Sequence, residues 1–203
     1  DLDYLTTLPD DEWRQGLAEV VKIAWIRSAS FVDEIETVAR STGLAGVQQD
    51  ADRLLGWVRR SIEAKAAIVE HDEREAGGRM LLNAGHTFGH ALEVASGFSL
   101  PHGRAVALGL VLEARLAAVL GLTPDDPSVR LRKTFTGFGL QDRVDAHWVD
   151  PALAALRYDK KRTSGSALRF ALPLAPGQVE LVTDPDSQAV EVVLRDAVSS
   201  RPS

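Results

Sequence analysis

Three histidines stand close together in Leu82-Asn83-Ala84-Gly85-His86-Thr87-Phe88-Gly89-His90 and in Pro101-His102-Gly103. His86 and His90 are four residues apart, so a helix carries both imidazoles on one face, where they can meet one metal ion or one substrate. Gly85 and Gly89 each precede one of them, and glycine inside a helix costs roughly 1 kcal/mol relative to alanine. Such a cost points to close approach of backbone or ligand. His102 follows Pro101 at a helix start, where the dipole favours a neutral ring over a charged one, and a neutral ring is what a metal requires.

The apolar run Leu17-Ala18-Glu19-Val20-Val21-Lys22-Ile23-Ala24-Trp25-Ile26 carries charge only at Glu19 and Lys22. An ordinary surface pair at this spacing is worth about 0.2–0.5 kcal/mol. On a helix apolar on most sides, however, the two charges need partners or a metal, because an unpaired buried carboxylate is very costly. Glu19 with two of the three histidines makes the two-nitrogen, one-oxygen set of zinc sites that keep a position open for substrate. The spacing leaves open which two.

Cations that could hold an anion are Lys65 inside an apolar run, Arg79 ahead of the histidines, and Lys160-Lys161-Arg162 at a helix end. Each also has an ordinary reading, as a snorkelling stem, a solvated loop charge or dipole compensation. The net charge of −6 argues against nucleic-acid binding through a general basic surface, so any anion must be held by a local cluster. The chain has no cysteine and no apolar run approaching the roughly 20 residues of a membrane span. A cytoplasmic protein with no membrane partner is expected.

The elements that must position these residues read as mainly α. Helices are expected from Pro9 to about Ile26, from about Phe31 to Gly43, and from about Val47 to Glu75, each with apolar residues at helical spacing. Another is expected to begin near Asn83 and close at Gly97, and the next to run from Pro101 to Gly121. Shorter helices fit residues 128–136 and 151–158, followed by a turn at Thr163-Ser164-Gly165. Two short strands around Pro176-Gly177 suggest a β-hairpin near residues 167–182.

Four ordered segments, residues 7–22, 65–93, 101–110 and 159–173, resemble the C-terminal, mostly helical domain of the 3-dehydroquinate synthase family, within the sugar phosphate cyclases. The resemblance runs nearly end to end. It implies that Glu19, His86 and His102 bind a divalent metal, zinc foremost and cobalt as an alternative, and that His90 serves substrate or proton transfer. It further implies that Lys22 and Asn83 act in the chemistry, that Lys65, Arg79 and Glu75 contact substrate, and that Lys160 or Lys161 does so too. Arg104 stands where the family often has glutamate after the His-Gly pair.

The family's reaction is an NAD- and metal-dependent oxidation, phosphate elimination, reduction and aldol cyclisation of a phosphorylated sugar acid. The resemblance implies a single metal- and substrate-binding domain over residues 1–203, with a separate N-terminal NAD-binding domain absent from this chain. No glycine-rich strand–turn–helix fingerprint is found in the sequence. A domain or fragment, inactive alone and dimeric as part of the whole enzyme, is therefore expected. The alternatives are a cyclase of the valiolone, scyllo-inosose or aminodehydroquinate type, or a noncatalytic metal-binding module.

Overall fold

The computed structural model describes residues 2–71, 78–140, 143–162 and 167–198; the side chains of residue 71 and of 159–162 lie outside the described set. The expected turn at Thr163-Ser164-Gly165 also lies outside it. The helices are α1 (Asp10–Arg27), α2 (Ala29–Ser41), α3 (Gly43–Gln48), α4 (Ala51–His71), α5 (His86–Ala95), α6 (His102–Val119), α7 (Pro127–Gly137), α8 (Val149–Arg162) and α9 (Ser187–Asp196). Strands β1 (Arg169–Ala175) and β2 (Gln178–Thr183) form an antiparallel hairpin, in register from Arg169↔Thr183 to Pro173↔Val179, with a register shift before Ala175↔Gln178.

Helix α6 is buried along most of its length, and two cores form about it. Ala107, Leu110, Val111 and Ala114 recur at helical spacing and join a core with α1, α2, α7 and Leu54, Trp57 and Ile68 of α4. On another face, Leu108, Leu112 and Leu116 join a second core with α5, α8, β1 and α9. Burying each leucine contributes about 1.5–3 kcal/mol, so both cores hold α6 in place.

Two contacts set the crossing of α1 with α6. Gly103 lies so close to α1 that an added Cβ would stand 2.5 Å from the Gln15 Cα, and the Arg104 guanidinium pairs with Asp11. The residue that departs from the family pattern therefore has a partner on the helix that carries Glu19. At the far end of α1, the Gly177 amide of the hairpin turn donates to the Trp25 carbonyl at 2.8 Å.

Three expectations are corrected. The long helix expected from Val47 starts later, as α4 at Ala51, because the Asp50 carboxylate accepts from the Arg53 amide at 2.9 Å and the short α3 precedes it; the expected end at Glu75 lies outside the described residues. The histidine helix begins at His86 rather than Asn83, because residues Gly78–Asn83 form a 3-10 helix and Gly85 turns left-handed at φ 82°. Gly85 thus lies outside the helix interior and its helical cost does not arise; its lack of a Cβ serves the turn and the approach of the Val106 carbonyl. Helix α8 runs four residues past Tyr158, to Arg162. Helix α9, which carries no chemistry-bearing motif, is an addition that the sequence reading did not include.

Candidate metal and substrate site

Glu19 from the middle of α1, His86 from the first position of α5 and His102 from the first position of α6 each offer a ligand atom, and these lie within 4.8 Å of one another. The His86 Nδ1 stands 3.2 Å from the Ala84 carbonyl, and the His102 Nδ1 stands 3.0 Å from the Glu93 Oε1. With Nδ1–H donated to an acceptor in each ring, Nε2 keeps the free lone pair that a metal would take. His90 stands beside both, with ring centroids 5.4 Å from His86 and 6.3 Å from His102, yet it does not belong to the convergent set.

Lys22 is 2% exposed and donates to Glu19, with Nζ 2.8 Å from Oε2. Lys65, half-exposed, reaches the same carboxylate at 3.6 Å. Burial alone would raise the Glu19 pKa, but the charge and hydrogen bond of Lys22, with His86 and Lys65 nearby, hold it below the ordinary value. For Lys22 burial is the largest influence and lowers its pKa, more than the Glu19 pair restores. Burial, followed by the Lys22 charge, lowers His86 to about 4, so its ring is neutral near pH 7 and open to a metal.

These groups border a cavity of about 500 Å³ lined also by Arg79, Met80, Leu82, Asn83 and Arg169. Among the described residues its wall sets four cationic side chains, Lys22, Lys65, Arg79 and Arg169, against one carboxylate, that of Glu19. That balance opposes the net charge of the chain and suits an anionic ligand. Glu19, Lys22, Lys65, Arg79, Asn83, His86 and His102, all expected from the sequence, share this cavity, whereas His90 lies beside its lining. Glu75 and the side chains of Lys160 and Lys161 lie outside the described residues.

Three residues here went unread in the sequence. Glu93 accepts from His102, as above. Glu113, on α6 and 0% exposed, caps α5 from outside: its carboxylate accepts from the backbone amides of Gly85 and Thr87, which flank His86. Burial raises its pKa to about 8 against those donors. Its signal was available, for it is a lone acid in the apolar run Val111-Leu112-Glu113-Ala114, the pattern that singled out Glu19. Arg169, at the first position of β1, had no such signal.

A helical domain of the sugar phosphate cyclase fold, with a convergent glutamate and two histidines on a cation-rich cavity, is the class that this arrangement defines. The solved 2-epi-5-epi-valiolone synthase of Streptomyces hygroscopicus subsp. jinggangensis, with NAD+ and Zn2+ bound, superposes with a TM-score of 0.83 at 26% identity, over 97% of this chain and 54% of that one. A 2-deoxy-scyllo-inosose synthase has the same fold, with a TM-score of 0.78 at 23% identity over 98% of this chain and 55% of its own.

Within that class the match is narrower: the model of the 3-dehydroquinate synthase C-terminal family covers residues 16–162, and the chain belongs to that family. The 3-dehydroquinate synthase of Xylella fastidiosa is 40% identical over 201 residues, 96% of this chain and 53% of the relative. That of Xanthomonas campestris pv. campestris is 40% identical over 203 residues, 97% of this chain and 54% of the relative. The chain spans about half the length of the curated relatives it matches. Among the described residues no helix is long and apolar enough to cross a membrane.

Proposed function

We propose that this chain is the metal- and substrate-binding part of a 3-dehydroquinate synthase, which converts 3-deoxy-D-arabino-heptulosonate 7-phosphate to 3-dehydroquinate and phosphate in the shikimate route. The observation that carries the reading is the convergence of Glu19, His86 and His102 on the wall of a cation-rich cavity. The donor set fits a divalent metal, and zinc suits two imidazoles and a carboxylate best. When bound, the metal supplies Lewis acidity that lowers the pKa of a substrate hydroxyl.

The chain's own residues do the rest. Lys65 and Arg79 hold the substrate carboxylate, and Lys160 or Lys161 holds the phosphate end. Lys22, buried against Glu19, donates to a substrate hydroxyl, and Asn83 orients a second one. His90 exchanges a proton with the substrate at the edge of the cavity, and Glu75 is proposed as a further substrate contact. NAD is proposed to be held by a domain additional to the described residues, whose strands form only an antiparallel hairpin. The whole enzyme is read as a cytoplasmic homodimer.

An enclosed structural metal would suit a noncatalytic module, but this donor set borders a cavity, which favours an open catalytic position. The test uses the intact protein with NAD and a divalent metal, and measures phosphate release from a panel of sugar phosphates. The acidic seven-carbon substrate is expected to react, and the neutral sedoheptulose 7-phosphate and glucose 6-phosphate are not. Preference for either neutral sugar would replace this reading with that of the corresponding cyclase.

A further inference from the structure

We propose that Arg169 is a further anion-binding residue of the cavity, its guanidinium taking an oxyanion of the bound substrate. The inference rests on the reading above and extends it to a residue in β1. Arg169 lines the cavity together with Lys65 and Arg79. In this acidic chain Arg14, Arg53, Arg60, Arg104, Arg130 and Arg195 each pair with a carboxylate. Arg169 differs: among the described residues no carboxylate pairs with it, and its Nη1 donates to the Met80 thioether at 3.3 Å, a weak acceptor that carries no charge.

The root of this side chain is fixed relative to the histidines. The Arg169 carbonyl accepts from the Thr87 hydroxyl at 2.8 Å, and Thr87 follows His86. Phe170, next along β1, is 1% exposed and packs on Phe88 of α5 with ring centroids 5.2 Å apart. Helix α5 and β1 therefore carry His86 and Arg169 as one body. A guanidinium presents parallel N–H donors that match a carboxylate or a phosphate in a two-pronged contact, which an ammonium does not reproduce. Both anions occur in the proposed substrate, and the experiment separates them.

Binding of inorganic phosphate and of a non-phosphorylated sugar acid is measured by calorimetry on the intact metal-loaded protein, for the wild type, Arg169→Ala and Arg169→Lys. Steady-state kinetics are measured in parallel. Arg169→Ala is expected to weaken one anion roughly tenfold or more and to raise KM by a similar factor, with kcat much less affected. Arg169→Lys should recover only part of the loss. Weakened phosphate binding assigns Arg169 to the phosphate end, and weakened sugar-acid binding to the carboxylate end; either supports the proposal. Unchanged affinity for both anions and unchanged KM in Arg169→Ala, with the melting temperature preserved, overturn it. A wild type that binds anions through Arg169 but turns over no acidic sugar phosphate would overturn the proposed function while leaving this inference standing.

Discussion

Gly109 tests whether the helix crossing, rather than the ligands alone, creates the metal site. A Cβ added to Gly109 would stand 1.9 Å from the Gly85 carbonyl oxygen and 2.8 Å from the Gly89 nitrogen, where ordinary contact begins at 3.4 Å. In Gly109→Ala, α5 must therefore retreat from α6 by about 1.5 Å at the residue that precedes His86. His102 rides on α6 and does not follow. Metal sites hold their ligand distances to about 0.2 Å, so a displacement of this size separates His86 from the other two donors. Altering only the partners of metal ligands costs about 10–100-fold in affinity, and a loss of at least about 100-fold is expected here. Overpacking should cost about 1–3 kcal/mol of stability, offset in part by the roughly 1 kcal/mol that alanine gains over glycine in a helix. Zinc affinity is read by chelator competition and stability by thermal melting. Gly16→Ala is the control, because nothing lies within 4 Å of its added Cβ; it should keep the metal and gain stability. A cooperatively folded Gly109→Ala that binds zinc within threefold of the wild type would refute the reasoning.

Glu19→Gln, His86→Ala and His102→Ala should each lose zinc on dialysis, measured by elemental analysis, while His90→Ala should retain it and slow turnover. Equal metal loss in His90→Ala and His86→Ala would contradict the ligand assignment. Glu113→Ala strands the Gly85 and Thr87 amides that it caps and should cost about 1–3 kcal/mol in urea unfolding, with Glu113→Gln losing less because its amide oxygen still accepts. In metal-free protein half-buried His86 and buried Glu113 give opposite pH dependences. Because His86 is lowered from 6.5 to about 4, the unfolded chain binds more protons between those values, so its contribution is present above 6.5 and is lost as pH falls toward 4. Glu113 is raised from 4.5 to about 8, so its contribution is present below 4.5 and is lost as pH rises toward 8. Urea midpoints across pH 4–8 should show both limbs, the acid one flattened in a His86 variant and the alkaline one in Glu113→Gln.

Much of the site could be read locally. Glu19 and Lys22 declared themselves as charges in an apolar run, and the hairpin followed from two short strand-like runs around Pro176-Gly177. Helical boundaries were less legible where a side chain or a backbone turn intervened. The Asp50 cap delays α4 from Val47 to Ala51, and Gly85 delays α5 until His86. Because the stripe Leu55, Ile62 and Val69 of α4 is exposed while Leu54, Trp57 and Ile68 are buried, periodicity found the helix but not the face that packs.

From residue types and spacing alone came a mainly helical chain, an acid among apolar neighbours, and histidines able to meet a metal or a substrate. Local spacing reports only which side chains share a face, and by that rule His86 and His90 were the natural pair. The tertiary structure brings His102 to His86 and Glu19 instead, because glycines at 85, 89, 103 and 109 let α6 close on α5 and α1 to backbone contact. It also delivers Arg169 to the cavity, through a strand joined to α5 by the Thr87 hydroxyl and the Phe88–Phe170 contact. No interval along the chain encodes those meetings. They are set by the close packing of helices that are distant in sequence, and a close-packed interior admits few alternatives.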